Sequence, residues 1–185
     1  HLTAQALAPQ FCWLTLSPEL SSRQLKDAVS AFRALPDLDG IPNLELVVQG
    51  SMGVMVAEDS LPQIAEERYS DEFWGLQDFK HIFPLKVDDE GRTHIFNSAE
   101  TCLIDLLPEI WRIGLDGVSL DARGRTESYA REVTGAYYRA IELTEKLMVT
   151  DPALLKEGLL DLKERILPLA LGGITHGHFL RGLKD

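Results

Sequence analysis

A chain of 185 residues, 45% hydrophobic and 25% charged, has the composition of a globular protein and the length to bury one sizeable core. Its formal net charge of −11 disfavours non-specific attraction to phosphate backbones, so a nucleic-acid substrate would have to be held by local contacts or by a partner. No apolar run approaches the roughly 20 residues of a membrane span and no signal peptide opens the chain, while its two cysteines lie in apolar segments and point to a reducing cytoplasm rather than a disulfide scaffold.

The apolar run Phe11 to Leu16 reads as a strand, closed by Ser17-Pro18. Leu25, Ala28, Val29 and Phe32 then recur at helical spacing, which predicts an amphipathic helix from Ser21 to Leu35 before Pro36. Leu44 to Val48 is the next strand, closed by Gly50, so the opening reads as a βαβ unit. Signals weaken from Gly50 to Tyr69: Val54 to Ala57 suits a short strand, and Glu58 to Arg68 reads as an acidic loop with an uncertain turn of helix. Asp89-Glu90-Gly91 separates two β-type runs, Phe83 to Val87 and Thr93 to Phe96, as a hairpin. Asn97, with Glu100 three residues on, has the form of a capping box and predicts a helix over 99–113, kinked at Pro108 and ended by Gly114. Gly117 to Leu120 is the third strand and Glu127 to Met148 a long helix. Asp151-Pro152 starts another helix through Arg165, ahead of a Gly-rich tail read as mobile and polar. The one candidate boundary is near Thr150, dividing 1–150 from a helical extension and tail over 151–185. Strands alternating with helices argue for an α/β layer with mainly parallel strands.

Several words of the sequence resemble the family called peptidase U32, the collagenase-like proteases, many of whose members are hydroxylases of RNA uridines or aromatic rings. They are Phe83-Pro84 in the hairpin, Ile95 to Ser98 (IFNS), Cys102 to Ile110 (CLIDLLPEI), Gly114 before a strand, Gly124-Arg125, and Tyr137 to Glu142 (YYRAIE). Upstream, Leu16 to Leu20 (LSPEL) is similar to the family's "SPEL" strand end and Glu45 to Met52 (ELVVQGSM) to its "HG-small-Met" strand. The resemblance implies a partial (β/α)-barrel-like layer with an inserted β-hairpin and a helical carboxy-terminal extension, the carboxy-terminal part of the family domain. The chain opens on His1 rather than Met, in keeping with a piece of a longer barrel. A half-barrel exposes strand edges, so a homo-oligomer, or a partner chain or domain that completes the barrel, is expected.

In such a barrel functional groups gather at the carboxyl ends of strands. Glu19 follows the first strand, where it suits a general base or a favourable charge beside a helix start. Gln49 and Ser51 follow the second, and Arg123 and Arg125 the third. The arginines suit either a planar fork for a carboxylate or phosphate, or a solvated loop, and the resemblance puts this loop at the family's substrate-binding position. Where the family usually shows Glu-Gly-Arg, this chain has Arg123-Gly124-Arg125, which reverses a charge. Glu45 lies within a strand and reads as an outward polar residue.

Related hydroxylases hold a 4Fe-4S iron–sulfur cluster on four cysteines, and the resemblance places one such ligand at Cys102. The others fall near Gly53 and Asp59, where no cysteine occurs, so the cysteines of this chain do not support the cluster. Cys12 reads as a small core residue and Cys102 as buried on an apolar face. His176 and His178 form a His-x-His pair without a spaced third ligand, and His81 and His94 bracket the hairpin, where they are expected to face each other. No nucleophile elbow, Walker loop, dinucleotide fingerprint or HExxH motif occurs. Three classes follow: a U32-type enzyme, nominal peptidase or hydroxylase; a cluster-less accessory chain that pairs with a catalytic relative; or a binding module for a small anion at Arg123 and Arg125.

Overall fold

The computed structural model describes residues 10–35, 42–63, 67–68 and 73–182. Among them, two sheets and four α-helices make a mixed α/β architecture with no closed barrel. The first sheet grows from β2 (Asn43–Gly50), whose apolar run is flanked on both edges by parallel strands. β1 (Trp13–Leu16) pairs with it from Trp13↔Asn43, and β9 (Gly117–Asp121) from Glu45↔Gly117. Beyond the end of β1, β8 (Glu100–Cys102) runs antiparallel to the tip of β2, and β10 (Ile174–Thr175) pairs parallel with β8.

Helix α1 (Ser22–Arg33) links β1 to β2. It begins with a capping box: Ser21 Oγ accepts from Gln24 N at 3.3 Å and Gln24 Oε1 accepts from Ser21 N at 2.9 Å. Its buried face is Leu25, Val29 and Phe32. Helix α2 (Leu107–Ile113) leads to β9, and α3 (Glu127–Leu147) follows it, with Tyr129, Val133, Ala136, Tyr137, Ala140 and Thr144 buried. Asp151 caps α4 (Pro152–Ile166), with Pro152 in the first turn, where its missing amide costs nothing. Leu155, Leu159, Leu162 and Ile166 of α4 join the same core as Leu44, Leu46 and Val48 of β2. Each fully buried side chain of this size contributes about 1.5–3 kcal/mol relative to exposure. The helices therefore cover one face of the first sheet, while the other carries Trp13, still 48% exposed, and a hydrogen bond of 2.7 Å from Thr15 Oγ1 to Glu45 Oε1.

The predicted hairpin is part of a larger, wholly antiparallel sheet in the order β3 (Gly53–Ala57), β7 (Thr93–Phe96), β6 (Ile82–Val87), β5 (Trp74–Gln77), β4 (Glu67–Arg68). Gly91 takes φ 83° at the β6–β7 return, as the turn requires. Strands are thus mainly parallel in the first sheet only, because the long excursion between β2 and β8 folds back on itself by hairpins. The segment read as an acidic loop holds a 3-10 turn at Leu61–Gln63 and β4; residues 64–66 and 69, like Pro36, lie outside the described residues.

The predicted helix over 99–113 is a correction. Asn97 caps no helix: its Oδ1 accepts from Ser98 N at 2.9 Å, after which the chain forms β8, a 3-10 turn at Ile104–Leu106, and only then α2. Pro108 therefore starts a short helix instead of kinking a long one, and Gly114 ends it. The tail is also corrected. It pairs as β10, buries Phe179 and accepts Ser22 N at Phe179 O, 2.7 Å away, so it is a packed element. Cys12 precedes β1 and is exposed, not a core residue, whereas Cys102 is fully buried as read. No helix among the described residues is long and apolar enough to cross a membrane.

Candidate functional site

The tips of β2, β8 and the β9–α3 loop converge on one carboxylate. A register break between Val47 and Gln49 lets Val48 and Gln49, consecutive residues, both turn into the helix-covered interior. There Gln49 Nε2 donates to Glu100 Oε2 at 3.2 Å, and Tyr129 Oη, from the first turn of α3, donates to the same oxygen at 2.6 Å. Glu100 Oε1 is held by the Arg125 guanidinium through Nη1 and by Leu171 N at 3.0 Å. Arg125 Nη2 also donates to Leu169 O at 2.8 Å, and the guanidinium lies 3.8 Å from the centre of the Tyr129 ring.

Glu100 is wholly buried, and four donors satisfy a charge that the interior would otherwise penalise by several kcal/mol. Burial and the neighbouring Glu100 carboxylate both push the Tyr129 phenol well above its ordinary range, so it stays a proton donor. Behind it, Tyr137 Oη donates to Val48 O at 2.8 Å and accepts from Leu103 N at 3.2 Å. It sits 4.0 Å from Cys102 Sγ, and burial raises both the phenol and the thiol. A second polar cluster joins the core of the tail to the rest: Lys163 Nζ lies 2.7 Å from Asp105 Oδ2, and His176 Nε2 lies 3.0 Å from the same oxygen.

Of the residues singled out in the sequence, Gln49 and Arg125 are brought together, through Glu100. Arg123 is not: it points outward with its side chain 86% exposed and forks onto Asp121, at 2.9 Å from Nε and 2.7 Å from Nη2. Burial pulls the Asp121 carboxyl upward, but the bonds from Arg123 outweigh it and hold the group below its usual range. The two arginines thus diverge instead of forming one fork. Glu19 is exposed in the turn after β1, its amide bonded to Ser17 Oγ at 3.3 Å. Ser51, just past β2, is buried and its Oγ has no hydrogen-bond partner among the described residues. Glu45 lies on the open face of the first sheet against Thr15. His178 Nδ1 lies 3.2 Å from Gly182 O, so it and His176 serve separate contacts.

The hairpin histidines do not face each other. His94 is opposite Lys86 and lies 2.9 Å from Asp88, while His81 sits in the β5–β6 turn against Asp78. Sequence reasoning missed Glu100 and Tyr129 as members of this network. Glu100 fits a capping-box pattern and Tyr129 falls within the helix expected from Glu127; an acidic residue two positions before the apolar Cys102 to Ile104 run was the available signal.

Four thiolates cannot be assembled here. Cys12 is exposed ahead of β1, Cys102 is sealed behind Tyr137, and the described residues contain no group of three or more His, Cys, Asp or Glu side chains able to hold a metal ion. The residues present do not fit an iron–sulfur cluster.

The model of the family described as "Peptidase family U32" matches residues 19–182. Among curated proteins, tRNA hydroxylation protein P2 of Bacillus subtilis (strain 168) is 36% identical over 61 residues, which is 33% of this chain and 19% of that relative. The chain's match thus spans about a fifth of the relative's length. No solved structure matches.

Proposed function

Because the chain belongs to peptidase family U32, we propose that it is a cluster-less accessory or binding subunit in RNA hydroxylation, pairing with a catalytic U32 chain or segment. The observation that carries this is the thiol inventory: two cysteines in the whole chain, one exposed and one buried with its thiol held protonated. The RNA side of the reading draws on the name of the B. subtilis relative. β1, β2 and β9 are three adjacent parallel strands, and Trp13 on their open face suits cover by further strands of such a partner.

The nominal peptidase reading has less support. The strand-tip hydroxyl of Ser51 has no base bonded to it among the described residues, and Glu100 is tied up by four donors away from solvent. Anaerobic reconstitution with iron and sulfide tests the proposal. The expected result is iron and acid-labile sulfide well below one cluster per chain and no charge-transfer absorption in the visible range, with stable association once a cluster-bearing U32 chain is added. A full cluster on the isolated chain would overturn it.

A further inference from the structure

The turn between β5 and β6 projects an aromatic ring entirely into solvent. Phe79 has a relative exposure of 106%, at a position where turns usually carry Gly, Asn, Asp or Ser. The turn beneath it is organised. Asp78 Oδ1 accepts from Lys80 N and His81 N, each at 2.7 Å, and Asp78 N donates to His81 O at 2.9 Å. Those amide bonds hold the Asp78 carboxyl below its usual range. His81 in turn packs edge-on against Phe83, with ring centroids 6.1 Å apart. The ring is thus presented on a preorganised tip, which lowers the ordering cost of binding.

We propose that this tip stacks an unpaired base of single-stranded RNA, with Phe79 as the platform and the exposed Lys80 ammonium on the adjoining phosphate; the inference rests on the RNA reading above. Two arguments select a base over a protein pocket. A stable protein interface takes roughly 800 Å² from each partner, whereas the tip offers one ring with the half-exposed edges of Leu76 and Ile82 beside it. One aromatic face with one cation beside it matches one base and its phosphate. On a chain of net charge −11, affinity for RNA has to come from such local contacts.

The test is fluorescence anisotropy of a labelled, unstructured RNA oligonucleotide with the full chain. Phe79→Ala is expected to weaken binding about 5- to 150-fold, the equivalent of about 1–3 kcal/mol for one stacked base, while Phe79→Trp retains affinity. Lys80→Ala is expected to reduce the steepness of the salt dependence by close to one phosphate contact, with a smaller loss at high salt. Since the Phe79 ring touches only solvent at the tip, thermal unfolding of Phe79→Ala should match the parent chain and exclude misfolding as the cause. Wild-type protein that binds no RNA, or a Phe79→Ala variant that binds within two-fold of it, overturns the inference. Neither result touches iron content, so this inference and the accessory-subunit reading fail separately.

Discussion

Replacing Glu100 with alanine should destabilise the chain more than almost any other single change. The substitution removes the acceptor for Tyr129 Oη, Gln49 Nε2 and Leu171 N, and takes the Glu100 carboxylate from a guanidinium whose side chain is only 8% exposed. Removing one partner of a buried ion pair costs about 3–5 kcal/mol, because the remaining charge keeps its desolvation penalty. That is a large fraction of the roughly 5–15 kcal/mol by which a domain is stable. For a chain of this length each kcal/mol lowers Tm by about 2–4 °C, so the expected fall is about 6–20 °C by circular dichroism or differential scanning calorimetry. Glu100→Gln keeps the shape and one acceptor oxygen and should fall between the two. The double variant Glu100→Ala with Arg125→Met should lose less than the sum of the single changes, since both break the same contact. Hydrogen exchange at the Leu171 amide should quicken with Glu100→Ala, as its acceptor is gone. A Tm shift under 2 °C for Glu100→Ala, or strict additivity in the cycle, would refute the claim that this carboxylate holds strand tip, loop and tail together.

Gly50→Ala places a Cβ 2.3 Å from Asp121 O at a residue with φ 129°, so its cost in urea denaturation should exceed the about 1–3 kcal/mol of an unfavourable backbone conformation alone; a loss below 1 kcal/mol would show that the β2–β9 tips separate readily. Asp88 is bonded first by the His94 ring and then by the amides of Arg92 and Glu90, which hold its carboxyl well below the usual carboxylate range. A lowered folded-state value contributes stability above the unfolded value of about 3.9 and loses it as pH falls further. Asp88→Asn should therefore be less stable than the parent from neutral pH down to about 4, with the gap closing in more acidic solution, and a pH-independent gap in thermal scans would contradict this.

What the sequence made legible was whatever a local rule decides. The βαβ opening, the Gly91 return, the third strand and the Asp151-Pro152 helix start each rest on a few adjacent residues, and each is present within a residue or two. What stayed hidden was pairing over distance. β8 and β10 are three and two residues long, and neither has a pattern of its own; they are strands only because Gln49↔Cys102 and Ile174↔Glu100 meet. The wider antiparallel sheet around the hairpin is of the same kind, since β4 is two residues and its existence depends on Trp74↔Arg68. Cys12 shows the reverse error: an apolar neighbourhood in sequence placed it in a core that begins, in space, beyond Trp13.

Glu100 is where the two kinds of information compete, and magnitudes show which prevails. As the third residue of a helix capped by Asn97 it would have gained a capping box worth about 1 kcal/mol and stayed in water. As a strand residue it gives up its hydration but receives four donors, one of them charged, and in doing so orders Arg125, Tyr129 and the Leu169 to Leu171 segment at once. A hydrogen bond to a charged group contributes about 1.5–3 kcal/mol net of the water bonds it replaces, so four of them outweigh the capping alternative. The same bonds explain why neither Glu100 nor Arg125 is free to act on a ligand at the strand tips: each is committed to holding β8, the β9–α3 loop and the tail together.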